Sequence, residues 1–195
     1  MDLRSPVDAT SEFVESMQRL LVAGASADED IVMPDKLDRN RLDFSLDSLH
    51  VIDEYLNEVH DNEQTCVGLS LLTTIWAAAM YTGEVIRRTA PARGFEWVTI
   101  GDELATGGGT TTNQLDIGAV RALRAGDGEM CMPSRAVLRV ILRGRKARSV
   151  HSFARGAIES PAGKPETVRP DQLRFGSSWV LNRPSPAGLA ANSAS

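Results

Sequence analysis

Few residues in this chain have the type and spacing that chemistry needs, and each has a structural reading beside the chemical one. Glu84 follows Leu69, Thr73, Trp76 and Met80 along one helical face, so it emerges at the edge of a core. A carboxyl raised by burial there would suit acid/base work. The same Glu84 has Arg87 at i+3 and Arg88 at i+4, the favourable order for ion pairing. No second carboxylate or nucleophile is tied to it, so the ion pair is preferred and no catalytic residue is assigned. Asp53 stands at the boundary of an apolar arc beside Leu46 and Leu49, with His60 two turns on. A buried aspartate needs a partner. One reading is an Asp–His or Asp–Glu pair in a cleft. The preferred one is a bridge to Arg87 or Arg88 that holds two helices in register. On that reading Asp53→Ala strands an arginine and costs ~3 kcal/mol or more.

His50, His60 and His151 do not read as a ligand set. His50 and Glu54 share a face at i, i+4, but no second histidine joins them in sequence, so no metal is expected and all three are taken as surface residues. The run Gly107-Gly108-Gly109-Thr110-Thr111-Thr112 has the composition of a phosphate loop, yet no Lys follows and no helix opens from it, which fails the P-loop requirement. It reads as a connection between strands, long enough for a lid or contact role. Cys66 and Cys131 belong to no ligand-spaced cluster. They are expected to be reduced thiols in a cytoplasmic protein, although counting leaves a single disulfide open. No cofactor motif is present.

Charge is distributed unevenly. Residues 1–65 hold 16 acids against 5 bases, whereas 66–195 hold 10 acids against 16 bases. Asp47, His50, Glu54, Asn57, Glu58 and Asp61 lie on one arc of a predicted helix, a solvated face or a surface that docks and steers a basic partner. Its mirror image is Arg135, Arg139 and Arg143, continued by Arg145, Lys146 and Arg148. Such a block could grip phosphates. With no accompanying nucleic-acid motif and only 5% aromatic residues, the simpler account is a face opposing the acidic helix, within the monomer or across a homodimer.

The elements that must position these residues follow from periodicity. The uncharged run from Thr65 to Gly83 has the length of a membrane span. Its serines, threonines, glycines and alanines suit a buried core helix better, so no membrane insertion is expected. That helix is predicted over about 67–89, stopped by Pro91 and Gly94. A first helix is predicted over about 11–23, capped by Thr10 or Ser11 and ended by Gly24. A second follows Ser45 as cap, with apolar Leu46, Leu49, Ile52, Leu56 and Val59, and Tyr55 at the arc's edge. Strands are predicted at 95–100, 115–120 and 130–132, with a turn at Gly126-Asp127-Gly128 and the last strand ended by Pro133. Ser134 is read as the cap of a helix over 135–143, whose buried arc includes Leu138 and Leu142. Ser149 is read as the cap of another, over 150–158. Prolines beyond Glu159 forbid long regular elements. The expectation is therefore one α+β domain over 1–158, with its core in 42–158 and helices packed on one side of a small antiparallel sheet. Residues 159–195 form a Pro/Ser/Ala-rich tail, docked in part through 173–181.

The helix ending Tyr81-Thr82-Gly83-Glu84-Val85-Ile86-Arg87-Arg88, the strand with Trp97 and the Pro133-led Val/Arg helix resemble an uncharacterised bacterial domain family over roughly residues 70–145. The glycine-rich loop departs from that family's shorter, more acidic one. The resemblance implies the fold and no activity, although neighbouring groups look like immunity proteins against secreted toxins. Three function classes follow. The first is a small soluble protein-binding module, as an immunity protein that masks a basic toxin domain with Asp47, His50, Glu54, Glu58 and Asp61. The second, disfavoured, is a nucleic-acid binder using Arg135–Arg148. The third is an enzyme with Glu84 and Asp53 in a cleft beside Trp97.

Overall fold

The computed structural model describes residues 6–24, 31–62, 69–99 and 121–160. Among the described residues five α-helices, α1 (Pro6–Ala23), α2 (Leu49–Asp61), α3 (Leu69–Thr89), α4 (Pro133–Arg143) and α5 (Val150–Glu159), accompany three short strands, β1 (Glu96–Thr99), β2 (Arg121–Arg124) and β3 (Met130–Cys131). The strands form one antiparallel sheet in the order β1-β2-β3. The chain is thus a predominantly helical α+β domain, as its pattern predicts. The strand expected at 115–120, the glycine-rich loop, Cys66 and the tail segment 173–181 lie outside the described residues.

The uncharged run does become the central helix. In α3, Ala77 to Thr82, Val85 and Ile86 are fully buried and Gly83 is buried with them, and the helix touches α1, α4 and α5. Its polar residues are satisfied locally. Thr74 and Thr82 donate to the carbonyls of Ser70 and Ala78 at 2.8 and 2.7 Å, and Thr74 Oγ1 also accepts the Val32 amide at 2.8 Å. Such back-bonding lets threonine sit in a core without an unpaired hydroxyl. No described helix is long and apolar enough to cross a membrane.

Gly83 sets how closely the sheet approaches α3. A Cβ there would lie 2.2 Å from the Trp97 ring and 3.3 Å from Leu123. Trp97 and Leu123 are directly paired across β1 and β2, so the glycine admits a cross-strand pair against the helix backbone.

Several boundaries differ from the pattern-based expectation. The helix α1 begins at Pro6 rather than near Ser11, because proline's fixed φ suits a first helical turn. Ser45 does act as a cap, its Oγ accepting the Ser48 amide at 3.1 Å. What it caps is a tight turn of i→i+3 bonds, Leu49 to Leu46 and His50 to Asp47, and the α-helix starts only at Leu49. Tyr55 is fully buried rather than marginal. Pro133 opens α4 from the N-cap Met132, in place of Ser134. The buried arc of α4 is Pro133, Ala136, Val137, Val140 and Ile141, a regular 3-4 spacing that leaves Leu142 exposed. Strand β2 falls at 121–124, with Ala122 and Leu123 buried between two half-buried arginines. Ser149 caps α5 as expected, accepting the Ser152 amide.

Arg93 ties the sheet to the last helix. Its guanidinium donates to Glu129 at 2.6 Å and to the carbonyls of Ala157 and Ser160 at 3.2 and 2.5 Å. A cation at a helix C-terminus is favoured by the exposed carbonyls and the helix dipole.

Candidate functional site

Helix α2 faces the core with Leu49, Ile52, Tyr55, Leu56 and Val59, all at most 1% exposed. Its opposite arc necessarily faces water, and there Glu54, Glu58 and Asp61 are exposed, with Asp47 and His50 exposed at its N-terminal end. The structure therefore brings the five predicted docking residues to one side of the molecule. Glu54 lies 3.7 Å from Arg41, both side chains largely solvated, a contact worth little. Asp47, Glu58 and Asp61 have no ion-pair partner among the described residues. A cleft of about 730 Å³ runs along this face, lined by Lys36, His50, Asp53, Glu54, Glu58 and Arg145 among others.

Most of the basic block lies away from this face. Arg145 reaches the α2 cleft, whereas Arg135, Arg139 and Arg148 line a separate cleft of about 400 Å³ between β3, α4 and α5. Arg148 folds over α5 to donate to the Ser152 carbonyl at 2.7 Å. It passes where a Cβ on Gly156 would meet it at 2.4 Å. Arg135 is half-buried, so the block is divided between two surfaces and presents no continuous stripe.

Asp53 does not bridge to Arg87 or Arg88. Its two carboxylate oxygens accept the backbone amides of Val150 at 2.6 Å and His151 at 3.0 Å, so it caps the N-terminus of α5 from outside. This pairing satisfies two of the amides that every helix start leaves open. It joins α2 to α5, where the sequence suggests a link from α2 to α3. Burial pushes the Asp53 carboxyl above its usual range, against the opposing pull of the two amides.

Glu84 behaves as its i+3 and i+4 neighbours predict. Arg87 grips both its oxygens, at 2.9 and 2.8 Å, and Arg88 Nε donates to Oε1 at 2.7 Å. Burial alone would push this carboxyl up, but the hydrogen bonds from the two arginines outweigh it and the net shift is downward. That is opposite to what a general acid requires. The Arg88 guanidinium also lies 4.0 Å over the Phe44 ring, and Phe44 stacks on Tyr81 at 4.7 Å. Tyr81 Oη accepts the Phe44 amide at 3.0 Å and shares a 2.7 Å hydrogen bond with Ser48. This chain of contacts docks the segment before α2 onto α3, the role that the sequence gives to Asp53. Phe44 holds φ +62, a left-handed conformation that costs a non-glycine residue of order 1 kcal/mol. Glu84 lines a cleft with Trp97 and Asp53 lines the α2 cleft, so the two carboxyls do not share a site.

The histidines are arranged differently from expectation. His60 is half-buried, and its Nδ1 donates to the Ile141 carbonyl at 2.7 Å. Its ring occupies the space over Gly144, where a Cβ would come within 2.3 Å. His151 stacks on His50 with ring centroids 4.0 Å apart and planes 23° apart. A second histidine therefore does join His50, from a helix far along the chain. Cys131 is a free thiol, and burial, with Glu129 nearby, pushes it up to about 12. It stays protonated at neutral pH and is a poor nucleophile.

No known protein family, curated protein or solved structure matches the chain, so the resemblance over residues 70–145 carries no functional argument and the reading rests on the geometry above.

Proposed function

We propose that the chain is a protein-binding module that docks a basic partner on the acidic face of α2. The observation that carries this reading is the exposed row Glu54, Glu58 and Asp61, on a face that only Arg145 of the basic block reaches. Like charges at i+3 and i+4 oppose helix stability by a few tenths of a kcal/mol per pair. A facing basic surface removes that repulsion and speeds encounter through long-range attraction. Within this class, the small acidic chain suits neutralisation of a toxin by covering its basic surface.

The test is affinity capture from a lysate of the source cells at low and physiological salt, with wild type and the Glu54→Lys/Glu58→Lys variant in parallel. A basic protein retained by wild type, released by salt and absent from the variant supports the reading. Equal capture by both proteins removes the acidic face from consideration.

A further inference from the structure

We propose that Asp47, His50 and His151 form a binding site for a divalent transition-metal ion of the zinc type. One ligating atom from each of the three lies within 4.8 Å of the others. Imidazole nitrogen and carboxylate oxygen are the donors that zinc and its neighbours prefer, and three protein ligands at a surface leave a coordination position open. The proposal is independent of the docking reading, although Asp47 and His50 stand at one end of the same face.

Two features make this more than a chance meeting of polar side chains. First, the residues come from separate elements held in fixed relation. Asp47 lies in the turn that leads into α2 and its carbonyl accepts the His50 amide at 3.0 Å, and the buried Asp53 carboxylate holds the first amides of α5, including that of His151 itself. The backbone positions of the three ligands are therefore set before any ion arrives. Second, Asp53 offsets the partial positive charge at the start of α5, which would otherwise oppose a cation. His50 and Arg155 act against positive charge at His151, and Asp53 and Asp47 counter them.

Bonds of ~2.0 Å around a tetrahedral ion set ligand–ligand edges of roughly 3.3 Å, shorter than the present 4.8 Å span. The rings must turn from stacked to convergent. Asp47 and His50 are exposed and can turn without disturbing the core.

The experiment is calorimetric titration with zinc chloride of untagged protein carrying Cys66→Ser, so that this thiol does not compete. A 1:1 isotherm saturating below a millimolar is expected, with affinity at least tenfold weaker in His50→Ala and in His151→Ala and unchanged in Asp61→Asn. Cobalt(II) should give a visible absorption band in the wild-type site that both histidine variants lose. Should His151→Ala unfold, His50→Ala, whose side chain is exposed, decides alone. Absence of saturable binding, or binding that survives the loss of His50, overturns the proposal. Weakened zinc binding in Asp61→Asn would mark diffuse attraction to the acidic face and overturn it as well.

Discussion

Replacing Asp53 with alanine separates the observed role of this residue from the one its sequence context suggests. The Val150 amide is buried with its residue fully enclosed, so loss of its acceptor leaves a buried donor unpaired, at ~1–3 kcal/mol. The His151 amide is only partly buried and can turn to water, so its loss resembles removal of an N-cap, at ~0.5–2 kcal/mol. The sum is about 1.5–5 kcal/mol, and Asp53→Asn, which keeps one acceptor, should cost about half as much. A bridge to Arg87 or Arg88 would give a similar figure for alanine, so magnitude alone does not decide. Coupling does. Urea unfolding of a double-mutant cycle between Asp53→Ala and Arg88→Gln should show additivity within ~0.5 kcal/mol. A cycle between Asp53→Ala and Ser149→Ala should show clear coupling, because both residues cap the same helix end. Coupling above ~1 kcal/mol to Arg88, or an Asp53→Ala variant as stable as wild type, would refute the assignment.

Two further outcomes follow from the core. Gly83→Ala should lower stability by about 1–3 kcal/mol through the clash with Trp97, despite alanine's better helix propensity, with a shift in tryptophan fluorescence. A gain in stability would show that the sheet stands further from α3 than described. Glu84 titrates below its ordinary 4.5 in the folded protein, so its stabilising contribution is complete above that value and is lost as pH falls through the lowered pKa. Glu84→Gln should therefore be less stable than wild type at neutral pH and lose less on acidification, as measured by urea midpoints across the carboxylate range. Parallel pH profiles would contradict the arginine clamp.

What the sequence made legible was local. The 3-4 spacing of Leu49, Ile52, Leu56 and Val59 defined α2, because one buried face of a helix repeats on that period. The Glu84–Arg87–Arg88 cluster was readable because its partners lie within one helical turn. Asp53 was recognised as a buried group in need of a partner, but its partner is a backbone amide 97 residues away, and backbone amides carry no sequence signature. The stacking of His151 on His50 was hidden for the same reason, since only the packing of α5 on α2 brings the rings together. Strand β2 escaped notice because its apolar content is the pair Ala122-Leu123 between two arginines, too short to establish a period. The signal that could have found it was the following Gly126-Asp127-Gly128 turn, which implies a strand immediately on each side. Pro133 was taken as the end of a strand, although proline equally suits the first turn of a helix.

The central claim is that the acids on the outer arc of α2 are left to solvent by the described residues and so can meet a partner. Charge reversal measures this directly, in the urea unfolding of Glu58→Lys/Asp61→Lys against wild type. The account predicts equal or slightly higher stability, by a few tenths of a kcal/mol, because a lysine at position 58 follows Glu54 at i+4 in the favourable order and cations suit the last turn of a helix. A loss of more than ~1 kcal/mol would mean that these carboxylates already hold the fold together, and would contradict it.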